Sequence, residues 1–276
     1  MGSTVERLLV RTWNLFHGNT QPPGREAFLE EMVRLASADR PDVLCLQELP
    51  VWALDELAGW SGMTVVGDVA QRPMFGPLPS SAELGRVLTE LHHGLFRSAL
   101  TGQANAILLD PGLRLGEHRH VVLNPPAFRR AQARLLGLGV VARLAWGKEH
   151  RVCQAVRVGR DDETFVVGNL HATSYPTDRR LADAELLRAA VFVDGMARPA
   201  EAVLLCGDFN VSVRMSRTLE DLRGSDWGFA GATPTGIDHV LVRGLAAEEP
   251  HRRPHAWRMR DDLLLSDHAP VDVHVG

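Results

Sequence analysis

The feature that most constrains this chain is a recurring unit, a short apolar run that ends on a polar residue capable of chemistry. Asn14 follows Leu8-Leu9-Val10-Arg11-Thr12-Trp13, and Glu48 follows Val43-Leu44-Cys45-Leu46-Gln47. Asn169 and His171 close Phe165-Val166-Val167-Gly168, and Asp208 and Asn210 follow Val203-Leu204-Leu205-Cys206-Gly207. The pair Asp267-His268 precedes Ala269-Pro270-Val271. A run without alternation, such as Val43 to Leu46, reads as a strand buried on both faces. Crevices at the carboxyl ends of such strands are the usual ligand sites of α/β sheets. Each polar residue taken singly is more readily a turn residue or a helix cap. The set points to a site.

Between these units the pattern predicts strands over Arg7–Trp13, Asp42–Gln47, Ala104–Leu109, Gly137–Ala145, Arg151–Val158, Thr164–Leu170, Ala202–Cys206, Gly236–Val242 and Pro270–Val275. Helical periodicity is read over Arg25–Ala38, Ala82–Leu91 and Asp178–Met196, and Val69–Pro79 reads as a loop. No repeat and no linker-like shift in composition cuts the sequence, so residues 1–276 are expected to form a single domain of mixed α and β character.

Composition narrows the function classes. Thirty basic against 34 acidic residues leave a net charge of −4, so no global basic field draws the chain to nucleic acid or an anionic membrane. A local basic groove stays open, with Arg129-Arg130, Arg179-Arg180 and Arg252-Arg253 as candidate phosphate contacts or plain solvated surface. Cys45, Cys153 and Cys206 are too few and too scattered for a disulfide framework or a zinc site, and read as core residues. No secretory leader pattern and no apolar stretch of membrane-spanning length is seen, which leads to the expectation of a cytoplasmic protein without a membrane span.

Six motifs in order then carry a resemblance. Trp13-Asn14, Leu46-Gln47-Glu48, Asn169-Leu170-His171, Gly207-Asp208-Phe209-Asn210, Ile237-Asp238-His239 and Ser266-Asp267-His268-Ala269-Pro270-Val271 resemble the endonuclease/exonuclease/phosphatase (DNase I-like) superfamily. That superfamily includes nucleases, abasic-site endonucleases, sphingomyelinases, inositol phosphatases and deadenylases. The resemblance spans Arg11 to Val273 and implies an α/β four-layer sandwich, two mixed β-sheets packed face to face with helices on the outside.

It also implies a metal-dependent phosphodiesterase, a hydrolase with nucleic acid (DNA or RNA) as the leading partner and a phosphatase or sphingomyelinase-like phospholipid phosphodiesterase as the alternative. A non-catalytic binding module is a third possibility. Phosphoester hydrolysis needs charge neutralisation, an aligned water and a stabilised leaving oxygen, and hard oxygen ligands for that work suit Mg2+ or Mn2+. Glu48, Asn14 and Asp267 are the expected metal ligands. Asp208, held by Asn210, is the expected activator of water. His268, partnered by Asp238, and His171 on the opposite side are expected to donate to the phosphate, with Asn169 and Asn210 as expected phosphate-binding residues and Asn169 also orienting a neighbouring group. The other histidines are read as unrelated to this set. In DNase I-like enzymes a glutamate pairs with the first histidine, and here Gln154 is the expected occupant of that place.

Overall fold

Alternation decides how the buried strands are used. In Val43-Leu44-Cys45-Leu46, Val43 and Cys45 face one apolar core while Leu44 and Leu46 face another. In Val203-Leu204-Leu205-Cys206 the same split sends Leu204 and Cys206 inward and Val203 and Leu205 outward. Successive side chains point to opposite faces of a strand, so a run that is apolar throughout needs cover on both sides. The chain meets this need with two sheets stacked face to face and helices on each outer surface.

The structure, a computed structural model, describes residues 7–23, 26–75, 78–81, 83, 86–87 and 101–276. The principal strands are β1 (Leu8–Asn14), β2 (Val43–Leu49), β3 (Thr64–Gln71), β4 (Gln103–Leu109), β5 (Arg114–Val122), β6 (Val152–Arg160), β7 (Glu163–His171), β8 (Ala202–Asp208), β9 (Asp238–Arg243), β10 (His251–Arg252) and β11 (Val271–Val275). One six-stranded sheet runs β10-β11-β1-β2-β4-β3, and one five-stranded sheet runs β9-β8-β7-β6-β5. Each contains a single parallel pair among antiparallel neighbours: β1 with β2, and β7 with β8.

The inner core is built from Val10, Val43, Cys45 and Ile107 of one sheet against Val156, Val167, Leu204 and Val240 of the other. Helices α1 (Leu29–Ser37) and α2 (Leu57–Ser61) cover the outer face of the larger sheet. Helices α3 (Pro126–Leu135) and α4 (Val140–Lys148) form a hairpin around Trp146. On the smaller sheet, the outer cover comes from α5 (Arg180–Asp194) and α6 (Arg217–Arg223). Four layers result, as the resemblance implied. All three cysteines are buried and free.

Sequence and structure part company in two places. Gly137–Ala145, expected as a strand on its valines, is mostly helix α4. The β-branched preference of Val140 and Val141 yields to packing, because a helix brings Ala142 and Trp146, one turn apart, into the same cluster. Val69–Pro79, expected as a loop, contains the end of β3 and a small hairpin of Met74–Phe75 with Leu78–Pro79. The expected helix over Ala82–Leu91 lies largely outside the described residues. The edge strand β5 carries His118 and His120, expected to be solvated. Both are exposed, and both also meet Asp68 of β3 (2.6 and 2.9 Å), clasping one edge of the two sheets together.

A candidate phosphoester site at the strand ends

The two parallel pairs end at the same place. In register, Asn14 of β1 lies beside Gln47 of β2, and His171 of β7 lies beside Asp208 of β8. Below this rim Gln47 and Asn169 lock the sheets together. The Gln47 amide donates to Asn169 Oδ1 at 2.8 Å and Thr12 Oγ1 at 3.0 Å, while the Asn169 amide donates to the carbonyls of Leu46 and Ala106. Asn169 thus engages Gln47 and two backbone carbonyls, all of them beneath the pocket.

Local backbone strain aims the functional side chains. Glu48 has φ +54° where the pairing of β2 with β4 shifts register between Leu46 and Leu49. An irregularity of this kind re-aims a side chain at a sheet end. Gly207, with φ +136°, precedes Asp208, and a Cβ there would sit 1.9 Å from the Leu170 carbonyl oxygen. Only glycine allows β8 that close to β7. Asn210 adopts φ +53°, and its backbone N–H donates to Asp208 Oδ1 at 2.9 Å while its side-chain amide donates to the Ala172 carbonyl. Asn210 does hold Asp208, through its backbone.

Asn14 ties the two sheets' carboxylates together. Its amide nitrogen donates to Glu48 Oε1 at 3.1 Å and to Asp208 Oδ2 at 3.0 Å. Its oxygen accepts the Phe16 N–H at 2.9 Å. That backbone donor sets the orientation of the amide, which turns its N–H group toward the two carboxylates. Ser266 connects the remaining loop, donating to the Asn14 carbonyl at 2.7 Å and accepting the His268 N–H at 3.0 Å. Trp13 Nε1 adds a bond to the His268 carbonyl at 2.9 Å.

Two imidazoles flank Asp208 in opposite charge states. His268 Nδ1 lies 2.9 Å from both oxygens of Asp238, and its Nε2 is 3.7 Å from Asp208 Oδ2 and 3.9 Å from Asp267 Oδ1. Burial opposes charging of His268, but the carboxylates of Asp238 and Asp208 prevail and push it up to about 10. His171 is held well below the ordinary histidine value by burial and by the nearby Arg151 cation. Arg151 Nη1 lies 2.9 Å from His171 Nδ1, and an arginine can only donate. The proton of neutral His171 is therefore on Nε2, which lies 3.5 Å from Glu48 Oε1 and 3.6 Å from Asp208 Oδ2. Asp208 itself is raised to about 7, first by burial and then by the charge of Asp238. Glu48 is raised by burial, with Asp267 adding to the effect.

Sequence reasoning missed three members of the pocket. His17, read as unrelated, is buried with Nε2 at 3.7 Å from Glu48 Oε2. Its one available signal was its position three residues after Asn14. Gln154, expected beside His171, sends its amide to the Val66 carbonyl at 3.4 Å. The neighbours of His171 Nδ1 are Arg151 and Gln103, the latter at 3.2 Å. These two come from different strands' beginnings and had no local signal at all. His239 donates to or accepts from backbone at Val211 and Thr233, away from the cluster as expected.

The donor set fits a hard divalent cation. Asp208, Asp238 and His268 each offer a donor atom within 4.8 Å of the others, but there an imidazolium already neutralises the carboxylates. Glu48 and Asp267 are partly exposed, and their carboxylates open onto the same pocket edge as Asp208, with His268 Nε2 within 3.9 Å of Asp267 and 3.7 Å of Asp208. Carboxylate oxygens are the donor type that hard divalent cations prefer.

Carboxylates and imidazoles gathered at the mouth of paired sheets belong to the architecture of phosphoester hydrolases. The model of the endonuclease/exonuclease/phosphatase family matches residues 12–268, and this chain belongs to that family, whose members hydrolyse phosphoester bonds. No curated protein sequence matches the chain. Solved structures share its fold across nearly their whole length. A functionally unknown conserved protein from Enterococcus faecalis V583 aligns with TM-score 0.66 at 14% identity, covering 98% of this chain and 99% of that one. The human Nocturnin catalytic domain with bound sulfate gives 0.64 at 16% identity, covering 98% and 94%. A humanised D. rerio TDP2 gives 0.62 at 11% identity, covering 98% and 99%.

Proposed function

We propose that this chain is a phosphodiesterase assisted by Mg2+ or Mn2+, in which Asp208 orients and deprotonates the attacking water. The observation that carries this reading is the position of Asp208, gripped by Asn14 and the Asn210 N–H and flanked by neutral His171 and charged His268. A carboxylate raised to about 7 is a base matched to neutral pH. His268, kept cationic by Asp238, donates Nε2–H to a phosphate oxygen, and His171 donates its Nε2–H from the other side. Glu48 and Asp267 would hold the cation, whose positive charge would offset the negative charge of the phosphate. Asn14 and His17 keep Glu48 in place.

Nucleic acid is the first substrate class to try, since such backbones are phosphodiesters and a basic cleft exists near the site. A specific observation favours a second class, the phospholipid head group: Leu135, Val140, Val141 and Leu144 are each at least 70% exposed. The test is turnover by purified protein with Mg2+ or Mn2+ against single- and double-stranded oligonucleotides, phospholipids and nucleotides. Asp208→Asn, His268→Ala and Glu48→Ala are each expected to lower metal-stimulated cleavage by ~10²–10⁴-fold. Full activity in excess chelator overturns the reading. So does tight metal binding without turnover on any phosphoester, which identifies a binding module instead.

A further inference from the structure

The helical hairpin α3–α4 has a composition unlike the rest of the molecule. From Pro126 to Lys148 there are five cations and no carboxylate, in a chain whose net charge is −4. Arg129, Arg130, Arg134 and Arg143 line a cleft of about 310 Å³ between the two helices, and no carboxylate lines it. Arg129 and Arg143 each give one N–H to a backbone carbonyl, at Trp146 and Leu138. The acidic side chains at the border, Glu149 and Asp178, are paired with Arg151 and Arg180. Beside this cleft four aliphatic side chains stand in solvent: Leu135 at 78% exposure, Val140 at 70%, Val141 at 73% and Leu144 at 71%. Val140, Val141 and Leu144 share one helix face by their spacing.

We infer that this hairpin is a docking surface for an anionic phospholipid bilayer, with the arginines taking lipid phosphates and the aliphatic side chains entering the acyl boundary. Guanidinium groups bind phosphate oxygens through paired N–H bonds. A free phosphate or a nucleic-acid backbone gains little from four exposed aliphatic groups, whereas an interfacial helix gains from both features together. The hairpin is linked to the pocket at two points. Only Glu149 and His150 separate α4 from Arg151, which contacts His171. Trp146 of α4 donates to the buried Glu185 at 2.6 Å, and Glu185 also accepts from Thr173, two residues after His171. The consequence for substrate, delivery of lipid head groups to the site, rests on the reading above; the docking itself is read without turnover.

Co-sedimentation of the full chain with vesicles of phosphatidylcholine alone, and with phosphatidylserine added, tests the inference. Binding to the phosphatidylserine vesicles and not to the neutral ones is expected. Val140→Ser with Leu144→Ser should weaken it by at least ~10-fold, and Arg130→Gln with Arg134→Gln should remove the preference for anionic lipid. All four substituted side chains are exposed, so an unchanged melting temperature certifies the fold of each variant. No association with phosphatidylserine vesicles overturns the inference, as does binding that Val140→Ser with Leu144→Ser leaves intact. A duplex oligonucleotide that binds the arginines while vesicles do not assigns the cleft to nucleic acid and overturns it equally.

Discussion

Replacing Arg11 with methionine removes the hub that holds β1, and with it Asn14, in place. Arg11 is fully buried. It reaches both oxygens of Asp272 (2.6 and 2.7 Å), both oxygens of Asp39 (2.6 and 2.8 Å) and the Ala36 carbonyl (2.7 Å). Arg253 bonds the same two carboxylates, and each guanidinium lies 5.3 Å from the Trp257 ring. Truncating one partner of a buried ion pair typically costs about 3–5 kcal/mol, because the charge left behind is uncompensated. Here Arg253 still neutralises part of Asp272, which places the expected loss near 3 kcal/mol, with about 1 kcal/mol more from half-exposed Asp39 after screening. For a chain of this size that lowers Tm by roughly 10 °C.

The pH dependence has a definite sign. Hydrogen bonding to Arg11 is the main reason that Asp39 is pulled down to about 2 from an ordinary 3.8. A depressed carboxyl contributes stability that is present above its ordinary value and lost as pH falls through the folded value. The gap between wild type and Arg11→Met should therefore be widest near neutrality and shrink below about pH 4. Urea unfolding followed by tryptophan fluorescence, repeated across that range, measures both quantities. A neutral-pH loss under about 1 kcal/mol, or a gap that widens with acid, refutes the reasoning.

Two further substitutions probe the site's frame. Asp238→Asn should lower kcat by ~10²–10⁴-fold with KM little changed, since His268 keeps its place but loses the charge that sustains its imidazolium; steady-state kinetics decide, and an unchanged kcat contradicts the assignment. Gly207→Ala should fail to give folded protein, because the added methyl meets the Leu170 carbonyl at 1.9 Å; a soluble variant melting within a few degrees of wild type would refute the argument.

The parts of the site that sequence revealed are those where chemistry and strand pattern coincide. Glu48, His171 and Asp208 each terminate an apolar run, so a strand-end rule finds them without knowing how the strands pair. Arg151 and Gln103 sit at strand beginnings on the far side of crossovers, and only the pairing of β6 with β7 brings Arg151 to His171. The mixed α/β class was readable from the strand and helix pattern, and the four-layer arrangement followed from the family resemblance, whereas α4 was not legible. Its valines favour a strand locally, and a single anchored tryptophan outweighs them. The lowering of His171 was likewise hidden, because it follows from burial and from a cation supplied across the sheet, not from its neighbours in sequence.

Asn14 and Glu48 come from one sheet, His171 and Asp208 from the other, and His268 from a loop between β9 and β11. A chain emerging from the ribosome would thus remain inert until residue 268 had left the tunnel and both halves had closed on each other. On the proposed reading the site is assembled all at once, so partly synthesised or half-open molecules would hold only fragments of it.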